Sequence, residues 1–226
     1  MSQQPPKTIA DLLPSGGFLG TSLILRRRGL LLYGIRPPRH EEGQSVVELT
    51  GIGGAMEAED QSLTTGVQRE AREEIGSSVR LLPCGETLVV HSHGEVERVA
   101  LQGDERPAAV VFRHYRTPAH HPWHEDHQGQ GVLVVFLAEL DRQPWPTPEL
   151  PGLIWLRPGQ VPDLACRDVL LQEILASGAR LIERRAGSFP RSSCARLTDS
   201  QEALSQALKG DGLCFFETMA QGEAKL

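Results

Sequence analysis

Several familiar signatures are missing from this chain of 226 residues, and each absence excludes a class of protein. Its four cysteines lie far apart and form no CxxC pair, so neither a zinc knuckle nor a disulfide framework is expected. No apolar run approaches the ~18 residues that a membrane-spanning helix requires. The polar, Pro-rich N-terminus lacks the apolar core of a signal peptide. We therefore expect a cytoplasmic protein with reduced thiols and no membrane partner.

Two enzyme motifs and an excess of positive charge are also missing. The sequence contains no GxxxxGK[ST] phosphate loop and no GxSxG nucleophile elbow. A net charge of −6 gives no electrostatic footprint for a nucleic acid polymer or an anionic membrane. A small anionic substrate is still compatible with this balance, because a bound cation reverses the local sign of charge.

The residues that are present suit a globular protein with both strands and helices. Hydrophobic residues make up 39% of the chain and charged residues 23%, which is enough to build a core. Apolar runs at 23–25 and 30–33 flank a basic turn that contains glycine, and this pattern predicts a hairpin. Further strands are predicted up to residue 156, with helices at 63–75 and 168–181. We expect an α/β (α+β) fold in which a mixed sheet lies between helices.

The chain divides into three predicted parts. Residues 1–17 are predicted to be an N-terminal tail or a short docking segment, and residues 18–184 the main domain. After residue 185 the sequence is polar and irregular (RRAGSFPRSSCARL), so residues 185–226 are interpreted as a C-terminal extension of unknown role. Within the extension, residues 213–217 are predicted to form a short strand.

The predicted helix at 63–75 carries an unusual concentration of acids. Ser62 suits its N-cap and Gly76 suits the residue after its C-terminus. Glu70, Glu73 and Glu74 share one face near the C-terminal end, where negative charge is unfavourable. One interpretation is a solvated acidic face. The other is a site for a hard divalent cation, which would offset the repulsion.

The residues around these acids resemble a known family motif. The segment combines Gly53-Gly54, Glu57 and REAREEIG at 69–76. It resembles the Nudix box, whose pattern is Gly, five residues, Glu, seven residues, then Arg-Glu-aliphatic-any-Glu-Glu-any-Gly-aliphatic. The resemblance assigns residues 18–184 to a Nudix domain, an α/β/α sandwich with a mixed sheet between helices.

The chain departs from the family pattern in the loop before the helix. Counted from Gly54, the family's next glutamate falls on Asp60, and eight residues rather than seven then precede Arg69. Counted back from Arg69, that glutamate falls on Gln61. The loop therefore has one extra residue, and Ser77 occupies the last aliphatic position. In the family this glutamate lies outside the metal-binding trio, so the departures concern the loop geometry more than the metal site.

The resemblance implies both an activity and a set of partners. Nudix proteins mostly hydrolyse the pyrophosphate of a nucleoside diphosphate linked to another moiety. Mg²⁺ or Mn²⁺ assists the attack of water on phosphorus. The implied partner is a small-molecule nucleotide, not a nucleic acid polymer. A homodimer is left open, since many relatives are dimers.

The resemblance also assigns roles to particular residues. Glu73 and Glu74 are implied to be the principal metal ligands, and Glu70 is either a ligand or the base that takes the proton of water. Glu57 is a further candidate ligand. Arg69 either orients one of the acids or is a surface cation. We therefore expect a catalytic group of Arg69, Glu70 and Glu73, with the loop geometry set by Gly53, Gly54 and Gly76.

Two alternatives to the hydrolase stay open at this point. A Nudix-like domain that binds a nucleotide as a sensor or scaffold, without cutting it, has the same resemblance. An unrelated α/β protein with an acidic helix is the third interpretation.

A histidine-rich segment at 116–131 (RTPAHHPWHEDHQGQG) is a weaker candidate site. It is interpreted either as a substrate-binding or second metal-binding loop, in which Trp123 stacks on a base, or as a solvated loop between strands.

Overall fold

The computed structural model describes residues 7–14, 16–115, 129–198, 204–205 and 212–221. A short 3-10 helix, Ile9–Asp11, precedes the first strand. The strands are β1 Phe18–Arg27, β2 Leu30–Ile35, β3 Arg39–Glu41, β4 Gln44–Thr50, β5 Val79–Leu82, β6 Thr87–Val90, β7 Val96–Val99, β8 Ala109–Tyr115, β9 Gly129–Leu140, β10 Gly152–Leu156, β11 Val169–Leu170, β12 Arg180–Glu183 and β13 Cys194–Leu197. The helices are α1 Leu63–Ile75, α2 Gln160–Cys166, α3 Leu171–Ala176 and α4 Gly212–Gln221.

All the described strands join one mixed sheet. Its main order is β11-β13-β4-β2-β1-β9-β8-β6-β7, with β10 attached to β2 and β12, β3 to β4, and β5 to β9. The longest pairing is parallel and runs along β1 and β9, from Phe18 opposite Gly131 to Arg26 opposite Glu139. The neighbouring pairing of β1 with β2 is antiparallel.

Side chains alternate between the two faces of the sheet. Both faces carry apolar side chains, and helices cover both. On β1, Leu23 and Leu25 pack in one core with Val67 of α1. The intervening Ile24 packs in a second core with Phe216 of α4. This alternation follows from the two-residue period of a strand. The predicted fold class, a mixed sheet between helices, is confirmed.

The predicted hairpin is confirmed, and its turn explains the glycine in the basic segment. β1 and β2 pair as far as Arg27 opposite Leu30, which leaves a two-residue loop. Arg28 and Gly29 have φ values of 51° and 74°. A two-residue loop with positive φ at both positions matches the right-handed twist of the flanking strands.

Two sequence predictions were wrong. Residues 168–181 do not form one helix: Val169 and Leu170 pair with β13, and α3 follows directly. Residues 213–217 are not a strand but lie in α4. Phe215, Phe216, Met219 and Ala220 of α4 are buried, and this spacing of three to four residues is helical.

The described parts of both terminal segments belong to the same folded unit. Ile9 is buried in the core beneath α1, and the amide of Gln102 donates to the carbonyl of Lys7 at 2.9 Å. In the C-terminal extension, β13 pairs in parallel with β4, and α4 packs on the second face of the sheet. Removing residues 185–226 would therefore strip a strand and a helix from the core.

Among the described helices, none combines the length and the apolar character needed to cross a membrane.

Replacing Phe216 by alanine tests whether α4 belongs to the main core. We expect the free energy of unfolding to fall by about 3–5 kcal/mol, because the fully buried ring leaves a cavity. Urea unfolding measures this change, with Arg98→Ala as an exposed control that should shift stability by less than about 0.5 kcal/mol. A loss confined to a separate, minor transition would contradict a shared core.

Candidate functional site

Helix α1 is fixed at both ends as the sequence predicts. The Ser62 hydroxyl oxygen accepts a hydrogen bond from the amide of Thr65 at 3.1 Å and so caps the N-terminus. Gly76 has φ 60° and its amide donates to the carbonyl of Arg72 at 3.1 Å. Val67 and Ile75 are fully buried against the sheet. The helix therefore holds its acidic residues in a defined orientation.

The segment at 52–55, here called the glycine turn, lies between β4 and α1 in the chain and is hydrogen-bonded to β1. The Thr21 amide donates to the carbonyl of Gly54 at 2.8 Å, and the Leu23 amide to that of Ile52 at 2.8 Å. Gly53 has φ 148°, and a Cβ atom there would lie 2.1 Å from the carbonyl oxygen of Thr21. Only glycine fits this close approach of two backbones.

The glycine turn makes room for two of the acids. The Gly53 amide donates to Oε2 of Glu74 at 2.7 Å. The carboxylate of Glu70 lies so close to Gly54 that a Cβ atom there would approach its Oε1 to 2.5 Å. Glu70 and Glu74 are both buried, with exposed fractions of 9% and 4%. The turn and the helix thus enclose a pair of buried carboxyl groups.

Arg69 joins three acids of the predicted site. Its Nη1 donates to Oε1 of Glu70 and to Oε2 of Glu73, each at 2.9 Å. The same nitrogen forms an ion pair with Glu57 at 3.3 Å. Glu57 and Glu73 are half-exposed, whereas the Arg69 side chain is 20% exposed. Arg69 is therefore a hub of ion pairs and not a free surface cation.

The other side of the Arg69 guanidinium binds Asp60. Its Nε and Nη2 donate to the two carboxylate oxygens at 3.3 and 3.0 Å, and Nη2 also reaches the carbonyl of Ala55 at 3.1 Å. The amide of Glu57 donates to Asp60 Oδ2 at 2.9 Å. The Arg69 hydrogen bonds, helped by this amide, lower the pKa of Asp60.

Asp60 lies in the loop whose spacing departs from that of the Nudix box. It stands at the position that the family's glutamate occupies when counted from Gly54, and it binds Arg69 through both oxygens. The extra residue therefore lies between Asp60 and the helix, where Ser62 forms the N-cap. The hydrogen bonds from Arg69 to Asp60 therefore fix the loop to α1 in spite of the extra residue.

The buried acids are costly to ionise. Burial raises the pKa of Glu74 to about 8, and the charges of Glu70 and Glu149 add to this effect, while the Gly53 amide opposes it. Burial also raises the pKa of Glu70, which the Arg69 hydrogen bond partly offsets. A carboxyl group that is deprived of water and surrounded by other acids favours a nearby cation.

Glu149 is an acid of this site that the sequence did not reveal. It lies in the loop between β9 and β10 and acts electrostatically on both Glu70 and Glu74. The Thr147 hydroxyl of this loop donates to the carbonyl of Glu74 at 2.9 Å. The only local signal is a Pro-rich segment, PWPTPELP at 144–151, which marks a stiff loop but not its contact with α1.

The donor set suits a hard divalent cation in type and charge. Mg²⁺ and Mn²⁺ bind oxygen ligands, and Glu70, Glu74 and Glu149 supply three carboxylates that repel one another. In the part of the chain that the structure describes, however, no three His, Cys, Asp or Glu side chains converge on one metal position. Glu57 and Glu73 are instead held by Arg69. To become ligands, these two would have to leave the guanidinium.

Trp123 and residues 116–128 of the histidine-rich segment lie outside the described residues. Their predicted role in substrate or metal binding stays a prediction.

Solved structures that resemble this chain include many Nudix hydrolases. One, described as a possible asymmetric diadenosine tetraphosphate hydrolase from Jonesia denitrificans, is 14% identical, with coverage of 88% of this chain and 97% of the other and a TM-score of 0.46. A MutT Nudix hydrolase from Burkholderia pseudomallei is 19% identical, with coverage of 64% and 86% and a TM-score of 0.37. A Nudix-family hydrolase from Clostridium perfringens is 18% identical, with coverage of 70% and 91% and a TM-score of 0.39.

No protein-family model matches the chain, and no curated protein matches it. At these identities and TM-scores, the function has to be inferred from the residues of the site.

A double-mutant cycle on Asp60 and Arg69 tests whether the ion pair between them stabilises the fold. We expect Asp60→Ala and Arg69→Ala to be coupled by about 2–3 kcal/mol in unfolding free energy, because the two side chains share two hydrogen bonds away from solvent. The exposed pair Glu86 and Arg98, 3.8 Å apart, is the control and should couple by less than about 1 kcal/mol. Equal coupling energies in the two pairs would contradict the role of Arg69 as the residue that fixes the loop to the helix.

Proposed function

We propose that this protein is a Nudix-type hydrolase that cleaves the pyrophosphate of a nucleoside diphosphate linked to another moiety, with Mg²⁺ or Mn²⁺. The observation that carries the proposal is the burial of Glu70 and Glu74 against Gly53 and Gly54, with Arg69 hydrogen-bonded to Glu70. A purely solvated acidic face would not bury two carboxyl groups. The resemblance of residues 53–76 to the Nudix box supports the same assignment.

The acids of α1 are the proposed holders of the metal. Glu70, Glu73 and Glu74 are the candidate ligands, with Glu57 and Glu149 as further carboxylates within the same charge cluster. A bound divalent cation would neutralise phosphate oxygens, orient the diphosphate and acidify water. Such positioning and charge stabilisation account for most of the catalysis of phosphoryl chemistry.

The chain's own groups supply the remaining functions. Arg69 limits the repulsion among the acids and keeps the loop at 55–60 against the helix. The Gly53 amide fixes one oxygen of Glu74 and leaves its other oxygen for a ligand. Glu70 and Glu149 are the two candidates for the group that takes the proton from the attacking water. Glu149 suits this role because its side chain is exposed beside the buried pair.

A nucleotide-binding sensor without hydrolysis is the second candidate function. The pairing of Glu73 with Arg69 favours it, since that pairing withholds one implied metal ligand. Binding of a nucleoside diphosphate without turnover, in the presence of either metal, would distinguish the sensor from the hydrolase.

Changing Glu73 or Glu74 to glutamine tests the hydrolase. We expect each variant to lose at least about 100-fold in kcat/KM, because metal ions supply several kcal/mol of charge stabilisation. The assay offers ADP-ribose, dinucleotides, sugar nucleotides and nucleoside triphosphates with Mg²⁺ or Mn²⁺. It detects phosphate that a coupled phosphatase releases from the products.

Glu86→Gln changes a half-exposed acid that pairs with Arg98 and not with Arg69, so it is the matched control and should retain full activity. A chelator should abolish activity in every variant. Circular dichroism and thermal unfolding establish that the glutamine variants are folded. Full turnover in both Glu73→Gln and Glu74→Gln would refute the site assignment.

Comparing Glu70→Gln with Glu149→Gln separates the base from a ligand. Loss of the base is expected to lower kcat by about 100-fold or more while the Mn²⁺ concentration for half-maximal activity stays unchanged. Loss of a ligand is expected to raise that Mn²⁺ concentration. If Glu149→Gln changes neither quantity, Glu149 has no part in the chemistry.

A further inference from the structure

The loop that carries Glu149 also presents an exposed indole. Trp145 is 65% exposed, and in the described part of the chain it is the large apolar side chain that is left in solvent. A single exposed apolar residue is common on protein surfaces, so exposure alone assigns no role. The position and the rigidity of this residue are what distinguish it.

The backbone at Trp145 is attached to the helix that bears the acids. The Trp145 amide donates to the carbonyl of Ile75 at 2.9 Å, and the Thr147 hydroxyl donates to that of Glu74 at 2.9 Å. Both acceptors are among the last four carbonyls of α1, which have no partner within the helix. The loop therefore supplies hydrogen-bond donors to two carbonyls at the C-terminal end of α1. These bonds fix the loop directly at Glu74 and Ile75.

The loop is also stiff. The Thr147 amide donates to the carbonyl of Leu150 at 3.0 Å, and the amide of Leu150 donates back to the Thr147 hydroxyl at 3.3 Å. Leu150 is buried in the core, with 1% of its surface exposed. Pro144 and Pro146 flank Trp145, and the ring of proline fixes φ. An aromatic side chain on such a backbone loses little conformational freedom when a ligand stacks on it.

The backbone of Trp145 lies close to the charged part of the site. The Trp145 amide donates to the carbonyl of Ile75, the residue after Glu74, at 2.9 Å, and Glu149 follows Trp145 by four residues. Four residues span at most about 14 Å, and the turn at 147–150 shortens this distance. The loop that carries the indole is therefore anchored at the residues next to the proposed diphosphate position.

We propose that Trp145 is the stacking surface for the planar base of the substrate, so that base and diphosphate are bound by two parts of one rigid loop–helix unit. This inference rests on the proposed function. An indole face binds any base, because every base presents a π-face. The site is thus expected to hold the substrate by its base without strong selection among bases.

Binding measurements on Trp145→Ala and Trp145→Phe test the inference. The probes are ADP, GDP, CDP and UDP, which carry a base, and methylenediphosphonate, which does not, each with Mg²⁺. Stacking of one base contributes a factor of about 5 to 150 in affinity. We expect Trp145→Ala to weaken nucleoside diphosphate binding about tenfold or more and to leave methylenediphosphonate binding unchanged. Trp145→Phe should retain most of the affinity.

Tryptophan fluorescence gives a second readout. Nucleotide binding should quench emission in the wild-type protein and quench it much less in Trp145→Phe, in which Trp123 and the buried Trp155 are the remaining indoles. Unchanged nucleotide affinity in Trp145→Ala together with persistent quenching in Trp145→Phe would overturn the proposal. Thermal unfolding of both variants should match the wild type, since the side chain is exposed.

Two further outcomes are distinguishable. If Trp145→Ala converts a dimer to a monomer in light scattering without changing nucleotide affinity, the indole is a contact between two copies and the proposal is overturned. If neither the nucleotides nor methylenediphosphonate binds the wild-type protein, the proposed function fails together with the inference. Binding that depends on Trp145 in a protein without hydrolytic activity would uphold the inference and favour the sensor.

Discussion

The site depends on one guanidinium. Arg69 contacts Glu57, Asp60, Glu70 and Glu73, and it offsets much of the negative charge in front of and along α1, while Arg36 acts on Glu74. Without it, like charges on one helical face would repel one another and the end of the helix would be destabilised. Because Glu57 and Asp60 lie in the loop and Glu70 and Glu73 lie on the helix, the same residue also fixes the loop against the helix.

The second constraint is steric. Gly53 allows the chain to pass beside β1 at a distance from the Thr21 carbonyl that no side chain would tolerate, and Gly54 leaves room for the carboxylate of Glu70. This approach places the Gly53 amide on Glu74 and the Gly54 backbone under Glu70. The parallel pairing of β1 with β9 then brings the loop after β9 to the last turn of α1, and with it Glu149. The fold thus concentrates acids from two separate segments at one helix end.

Local signals predicted the helix and the first hairpin correctly. Ser62, Gly76 and the apolar spacing define α1 within the sequence itself. The basic segment at 26–29 predicts the hairpin, although Arg26 and Arg27 lie in β1 and the loop is only two residues long. The Asp60–Arg69 pair and the role of Glu149 depend on contacts across the fold, which one sequence does not show. Residues 169–170 became a strand because β13 pairs with them, and 213–217 became helical because α4 buries its aromatic face on the sheet.

Calorimetric titration of the purified protein with Mn²⁺ tests most directly whether the acids of α1 hold a metal. The account predicts saturable binding in the wild type and in Glu86→Gln, and loss of that binding in Glu74→Gln without loss of the fold. Equal Mn²⁺ affinity in all three proteins would place the metal elsewhere and contradict the account. Absence of binding in all three, even with a nucleoside diphosphate present, would contradict it as well.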